Sequence, residues 1–207
     1  MTEHNSESVS DLTKHTEPKD AVDCSVRSET NILPNPKNLQ ELTSEVAFEL
    51  VQILIRKSLH ISLAESCTGG LATASIVSVP GSSAILDASV VTYANHAKTR
   101  YADVPEETLA TYGAVSEQTA GAMARGIAQE NGANLGIGIS GIAGPGGGTP
   151  DKPVGTVCFG IYYRESVSSD PKETLITITK HFGDLGRDNV RAHSVYFALS
   201  QALKLLK

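Results

Sequence analysis

Two short apolar runs in this chain each break into a turn made of small residues, and this pattern restricts the fold more than any other. Ile61-Ser62-Leu63-Ala64 runs into Glu65-Ser66-Cys67-Thr68-Gly69-Gly70, and Leu135 to Ile139 runs into Ser140 and the glycine-rich stretch Gly141 to Gly148. Runs of four or five apolar residues bounded by Gly and Ser are too short for a buried helix and read as core strands. Leu42, Val46, Ala47, Leu50, Val51, Ile53 and Leu54 recur instead largely at helical spacing, with Thr43 or Ser44 as a candidate cap and an end near Ser58.

Strands and helices alternate through the first two thirds of the chain. Leu71 to Val77 continues the first turn as a helix, and Ile85 to Tyr93 is a strand rich in β-branched residues. Helices are predicted from Asn95 to Tyr101, from Pro105 as the first helical residue, and from Ser116 as N-cap to about Asn131. Val154 to Tyr163 and Thr174 to Lys180 form a hairpin, hence an antiparallel pair, around a polar loop from Arg164 to Lys172. A helix from about Leu185 to Leu206 closes the chain. This order implies an α/β fold: a three-layer α/β/α sandwich on a mixed, mostly parallel sheet. Ligands in such sheets bind in the loops at the carboxyl ends of the strands. The two small-residue turns are therefore the places to look for chemistry.

Residues 1 to 38 differ in composition. They are rich in Ser, Thr, Asp, Glu and Lys, and Pro34 and Pro36 close them. They read as a disordered polar tail ahead of one domain over residues 39–207. They have neither the apolar stretch of a signal peptide nor the acid-poor character of a transit peptide. The formal net charge of −6 and the lack of any Lys/Arg-rich run argue against a nucleic-acid partner. No apolar run approaches the ~20 residues that span a bilayer. Cys24, Cys67 and Cys158 form no regular pattern and suit a reducing, cytoplasmic setting. No His/Cys/Asp/Glu cluster has metal-ligand spacing, so neither metal nor cofactor is expected. The apolar residues left over on the helices permit a homodimer without requiring one.

Ser66 stands at a strand-to-helix junction, where it is either a helix N-cap or a nucleophile presented at the sheet edge. Backbone N–H groups of Cys67, Thr68 and Gly69 are candidate donors for an anion or oxyanion. His60 and His96 lie outside both turns and read as surface or structural residues. Lys98 can serve as a base only if burial or a neighbouring cation lowers its pKa; otherwise it is an ordinary helix-surface lysine. Cys67 ranks behind Ser66 as a nucleophile because no candidate His adjoins it. The glycine stretch matches neither a Walker A motif nor a dinucleotide fingerprint. It serves equally as a phosphate cradle or a flexible loop. Arg187 and Arg191 lie one turn apart and share a helix face, either solvated or turned to a phosphate.

Taken together and in order, these motifs resemble one family. Ala64-Glu65-Ser66-Cys67-Thr68-Gly69-Gly70, Tyr93-Ala94-Asn95-His96-Ala97-Lys98, Gly113-Ala114-Val115-Ser116, Ser140 to Gly147 with Lys152-Pro153-Val154-Gly155, and Gly183-Asp184 with Arg187 and Arg191 are similar to the motifs of the CinA C-terminal-domain family. The resemblance covers about residues 41–207. That family includes nicotinamide-nucleotide amidohydrolases, which convert nicotinamide mononucleotide to nicotinate mononucleotide and ammonia. The resemblance implies a small nucleotide substrate, Ser66 as nucleophile, and Tyr93 with Lys98 as the activating relay, without metal. On the substrate side it implies Glu65, Cys67, Thr68 and Gly69; Ser83; Ser140, Gly141, Gly144, Pro145, Gly146 and Gly147; and Arg187 and Arg191. Two departures stand out. Ser140 occupies a position where the family usually has Thr, and Leu185-Gly186 separates Asp184 from Arg187. Two alternatives follow: a nucleotide-binding or interaction module of the same fold without catalysis, and an amidase for another small amide.

Overall fold

The structure is a computed structural model that describes residues 38–166 and 172–207. The expected tail lies outside the described residues except for Asn38, as do residues 167–171 of the expected polar loop. The elements run α1 (Leu39–Lys57), β1 (Ile61–Glu65), α2 (Leu71–Val77), β2 (Leu86–Val91), α3 (Asn95–Ala102), α4 (Glu106–Tyr112), α5 (Glu117–Glu130), β3 (Leu135–Gly141), β4 (Thr156–Arg164), β5 (Glu173–His181) and α6 (Arg187–Leu206), with a short 3-10 turn at Ser82–Ala84.

The five strands lie in the order β2-β1-β3-β4-β5. Strand β1 pairs in parallel with β2 and β3, and β4 is antiparallel to both β3 and β5. Four strands thus share one direction and β4 alone opposes them, as expected of a mixed, mostly parallel sheet. Helices α1, α2 and α6 pack together on one face, and α3, α4 and α5 on the other. Alternation along β1 divides the core between the two faces. Ile61 and Leu63 join Leu50, Leu54, Ile137, Phe159 and Leu199 beneath α1 and α6, whereas Ala64 faces Met123 and Ile127 of α5. Helix α5 lies close to the sheet because the cross-strand partners Gly138 and Gly160 have no side chains. A Cβ on either would stand 2.2 Å from the Ala120 carbonyl oxygen. No described helix is long and apolar enough to cross a membrane.

Most element ends fall within two residues of expectation, and the exceptions have local causes. Helix α1 starts at Leu39, four residues before Thr43, because Leu39 is itself buried and draws the first turn onto the core. Thr43 and Ser44 are therefore not caps; their hydroxyls donate backward to the carbonyls of Leu39 and Gln40. Pro105 is the N-cap of α4 rather than its first helical residue. Ser116 does cap α5, its Oγ accepting the Thr119 N–H at 3.1 Å. The left-handed Gly186, at φ 80°, delays α6 to Arg187.

Candidate active site

Parallel pairing brings the ends of β1, β2 and β3 to one edge of the sheet, and both small-residue turns open there. Ser66 follows β1 directly, and its N–H donates to the Ile139 carbonyl of β3 at 2.9 Å. The Thr92 N–H, just past β2, donates to the Glu65 carbonyl at 2.7 Å. Lys98 projects from α3 into the same edge. It is 1% exposed, and its Nζ lies 3.3 Å from Ser66 Oγ and 2.7 Å from the Thr92 carbonyl oxygen. A closed path therefore links the nucleophile candidate to its base: Ser66, the adjoining Glu65 backbone, Thr92, Lys98 and back to Ser66.

Burial lowers the Lys98 pKa from the ordinary lysine value, because removing the ammonium from water penalises its charge. The neutral amine can donate one hydrogen to Thr92 and offer its lone pair to the Ser66 hydroxyl. Burial acts in the opposite direction on Cys67, whose thiol is pushed up to about 12. That side chain is 5% exposed within the core, so Cys67 remains a neutral thiol.

The turn after Ser66 is tightly held. Ser66 is not an N-cap, because α2 begins only at Leu71 and Gly70, at φ 94°, occupies the cap position. The Gly69 N–H is taken by the Ser66 carbonyl at 3.1 Å, so Gly69 is not available as an anion donor. The Thr68 amide donates to no acceptor among the described residues and the Cys67 amide only to its own Sγ, which leaves these two as the donors of this turn. Arg191 steadies the turn from α6, its Nη2 donating to the Thr68 carbonyl at 3.0 Å. Both the Arg191 Nε and the buried Thr68 Oγ1 lack a hydrogen-bond partner among the described residues.

The glycine stretch is held at its base and open at its tip. The Ile142 N–H donates to the Thr156 carbonyl and the Gly155 N–H to the Ile142 carbonyl, and Gly141 is packed so closely on β4 that a Cβ would meet the Thr156 carbonyl at 2.8 Å. Gly141 therefore has a packing role. Pro145, Gly146 and Gly147 are exposed, and the amides of Gly144, Gly146 and Gly147 donate to no acceptor among the described residues. Arg187 bridges this loop to the end of β2. Its Nη1 donates to the Gly144 carbonyl at 2.9 Å and its Nη2 to the Tyr93 hydroxyl at 3.1 Å. Both arginines of the shared face thus reach the site edge.

Several expected site residues take other parts. Tyr93 does not stand between Lys98 and Ser66 in this structure: its hydroxyl accepts from Arg187, its side chain is 62% exposed, and Lys98 contacts Ser66 without an intermediary. Glu65 is not open to a ligand. It is fully buried, and its two carboxylate oxygens accept from the Gly70, Ala72 and Thr73 amides and the Thr73 hydroxyl. Ser140 is buried and donates to the Ala114 carbonyl at 2.6 Å, leaving only its lone pairs to the site. Ser83 lies in the turn before β2, next to the Ile61 end of β1, and so at the opposite end of the sheet from Ser66 within this chain. His60 is at that far end too, paired with Asp87 at 2.7 Å, and His96 is exposed on α3. Two contributors carry no sequence signal. Thr92 acts through a backbone carbonyl, which every residue possesses, and Thr73 completes the Glu65 cradle from eight residues away.

The chain resembles known proteins over its whole described part. The family model described as the CinA C-terminal domain matches residues 43–206. A CinA-like protein of Dictyoglomus thermophilum is 52% identical over 119 residues, which make up 58% of this chain and 29% of that protein. A second CinA-like protein, from Kosmotoga olearia, is 41% identical over 181 residues, covering 83% of this chain and 42% of that one. The chain thus spans less than half the length of these curated relatives. The crystal structure of competence/damage inducible protein CihA from Agrobacterium tumefaciens superposes with a TM-score of 0.73 at 36% identity, covering 86% of this chain and 100% of that one. By its family-model match and this shared fold, the chain belongs to the CinA C-terminal domain family.

Proposed function

We propose that this chain hydrolyses the carboxamide of nicotinamide mononucleotide, with Ser66 as nucleophile and neutral Lys98 as its base. The observation that carries this reading is the buried Lys98 amine 3.3 Å from Ser66 Oγ, anchored on the Thr92 carbonyl and shifted by burial toward its neutral form. A lysine so placed can remove the serine proton directly, without a histidine.

In the proposed cycle the Ser66 proton passes to Lys98 as Oγ bonds to the carboxamide carbon. The cationic pyridinium ring withdraws electrons from that carbon and makes it more electrophilic. Charge develops on the carbonyl oxygen, which the Thr68 amide and the Cys67 amide, held only by its own thiol sulfur, are set to receive; one such donor is typically worth ~10²–10³-fold in rate. The C–N bond then breaks, and the Lys98 ammonium supplies the proton that lets ammonia leave. Water attacks the acyl ester and gives a proton to Lys98, which passes it to the departing Ser66 Oγ, releasing nicotinate mononucleotide with the Ser66 hydroxyl and the neutral amine restored. The open amides of Gly144, Gly146 and Gly147 and the Arg187 guanidinium suit the 5′-phosphate.

The test is ammonia release from nicotinamide mononucleotide by wild-type protein and Ser66→Ala, with EDTA present. Release by the wild type alone is expected. Equal release by both removes Ser66 from the reaction. No release by either, with the nucleotide still raising the melting temperature, replaces the enzyme with a nucleotide-binding module.

A further inference from the structure

We propose that Glu65 is a positioning residue: its buried carboxylate fixes the Ser66–Gly70 turn so that the Cys67 and Thr68 amides stay aimed at the reacting carbonyl oxygen. This inference rests on the Ser66 reading above. Glu65 is fully buried next to the nucleophile, yet among the described residues its carboxylate pairs with no Lys or Arg and bonds only to Gly70 and the first turn of α2. Oε2 accepts the Gly70 amide at 3.0 Å and the Ala72 amide at 3.2 Å. Oε1 accepts the Thr73 amide at 2.8 Å and the Thr73 hydroxyl at 2.6 Å. The Thr73 hydroxyl is itself in contact with Ser89 Oγ of β2.

The effect on the turn follows from its endpoints. Ser66 is pinned at its N–H to Ile139, and Gly70 at its N–H to Glu65, so four residues of chain must close between two fixed points. Within that span Gly69 bonds back to Ser66 and Arg191 holds the Thr68 carbonyl. Only the Cys67 and Thr68 amides are left over. The carboxylate also satisfies the first amides of α2, which would otherwise compete for the substrate's developing charge from a poorer position. Gln is not equivalent here: its NH2 group would face amide donors, leaving one oxygen for four hydrogens. The backbone of the same residue accepts the Thr92 N–H, so Glu65 joins the turn to the anchor of Lys98 without touching the lysine.

The experiment compares wild type, Glu65→Gln, Thr73→Val and Thr73→Ser. It measures kcat, KM and the pH profile for nicotinamide mononucleotide, and in parallel the rate at which p-nitrophenyl acetate acylates Ser66, read by mass spectrometry. Glu65→Gln is expected to lose roughly 10²-fold in kcat and in acylation rate, with KM within about threefold and the acid limb unmoved. Thr73→Val, which deletes one of the four bonds, should lose several-fold, and Thr73→Ser should recover it. If Glu65→Gln does not fold, the valine and serine pair carries the test. A raised KM with unchanged kcat would make Glu65 a substrate contact. A lowered melting temperature with unchanged kcat would make it only a helix cap. Either result overturns the proposal. A wild type that neither releases ammonia nor acylates at Ser66 overturns this inference together with the function it rests on. A wild type that acylates no faster than Glu65→Gln overturns this inference alone.

Discussion

The two turns at the active edge of the sheet are alike in composition and opposite in physical character. From Glu65 to Gly70 the backbone is pinned at both ends and in the middle: Ser66 to Ile139, Gly69 to Ser66, Gly70 to Glu65, and the Thr68 carbonyl to Arg191. In the second turn the amides of Gly144, Gly146 and Gly147 have no acceptor among the described residues, and the residues after Gly144 are exposed. The difference separates two demands on a site. Bond-making needs atoms held to a few tenths of an ångström, which internal hydrogen bonds supply. Ligand capture needs donors that water can leave and a ligand can replace. Arg187 and Arg191, one turn apart on α6, divide along the same line: Arg191 ties down the first turn and Arg187 attends the second.

The comparison breaks most sharply at Lys98. In the committed half of the site, replacing this base with Ala should lower kcat by ~10²–10⁴-fold with little change in KM. The pH dependence has a definite sign. Catalysis needs the neutral amine, and burial lowers its pKa, so the rate falls as pH drops through that lowered value and plateaus above it. The acid limb should lie below the ordinary lysine value of 10.5. A kcat profile measured from pH 5 to 10 checks this, and a rate that stays flat down to about pH 5 would count against a lysine base.

The open half should respond in KM instead. Arg187→Ala removes a charged donor that is proposed to meet the phosphate. Losing that charge-assisted hydrogen bond should raise KM roughly 10- to 100-fold with kcat nearly kept. Nicotinamide riboside, which lacks the phosphate, should show no such penalty. An equal loss on both substrates would place Arg187 in the scaffold of the loop rather than on the phosphate.

The sequence shows these two halves unequally. Periodicity and turn chemistry locate the five strands and the edge where they open, because core burial and glycine punctuation are local signals. Ser66, Lys98 and the two arginines are visible as candidates for the same reason: each stands at a readable junction or on a readable helix face. The part that escapes is how polar groups are allotted. The start of α2 at Leu71 is legible, but whether the Glu65 carboxylate turns to its first amides or to a ligand is a choice of side-chain direction that the sequence does not mark. Whether Lys98 reaches Ser66 directly depends on a carbonyl at Thr92, and carbonyls leave no mark in a sequence. Thr43 shows the same limit in the scaffold, because burial of Leu39 outweighs a good capping residue.

The smallest expected effect is the most discriminating, because it falls where the two turns meet. The Tyr93 hydroxyl accepts from Arg187, which also holds the Gly144 carbonyl, so this phenol belongs to the open half by its contacts although it adjoins Thr92 in the chain. A relay through Tyr93 would require its oxygen between Lys98 and Ser66, and those two atoms already lie 3.3 Å apart. Tyr93→Phe deletes one exposed hydrogen bond and keeps the ring. Water screens so exposed a bond, so KM should rise only roughly 2- to 10-fold through a looser Arg187, with kcat within about twofold of wild type. If the phenol carries the proton, kcat must fall ~10²-fold or more and the pH profile must change shape. Combining Tyr93→Phe with Arg187→Ala decides what a small effect means. If Tyr93 acts only by orienting the arginine, the double variant is no worse than Arg187→Ala alone, since the second loss has nothing left to disturb.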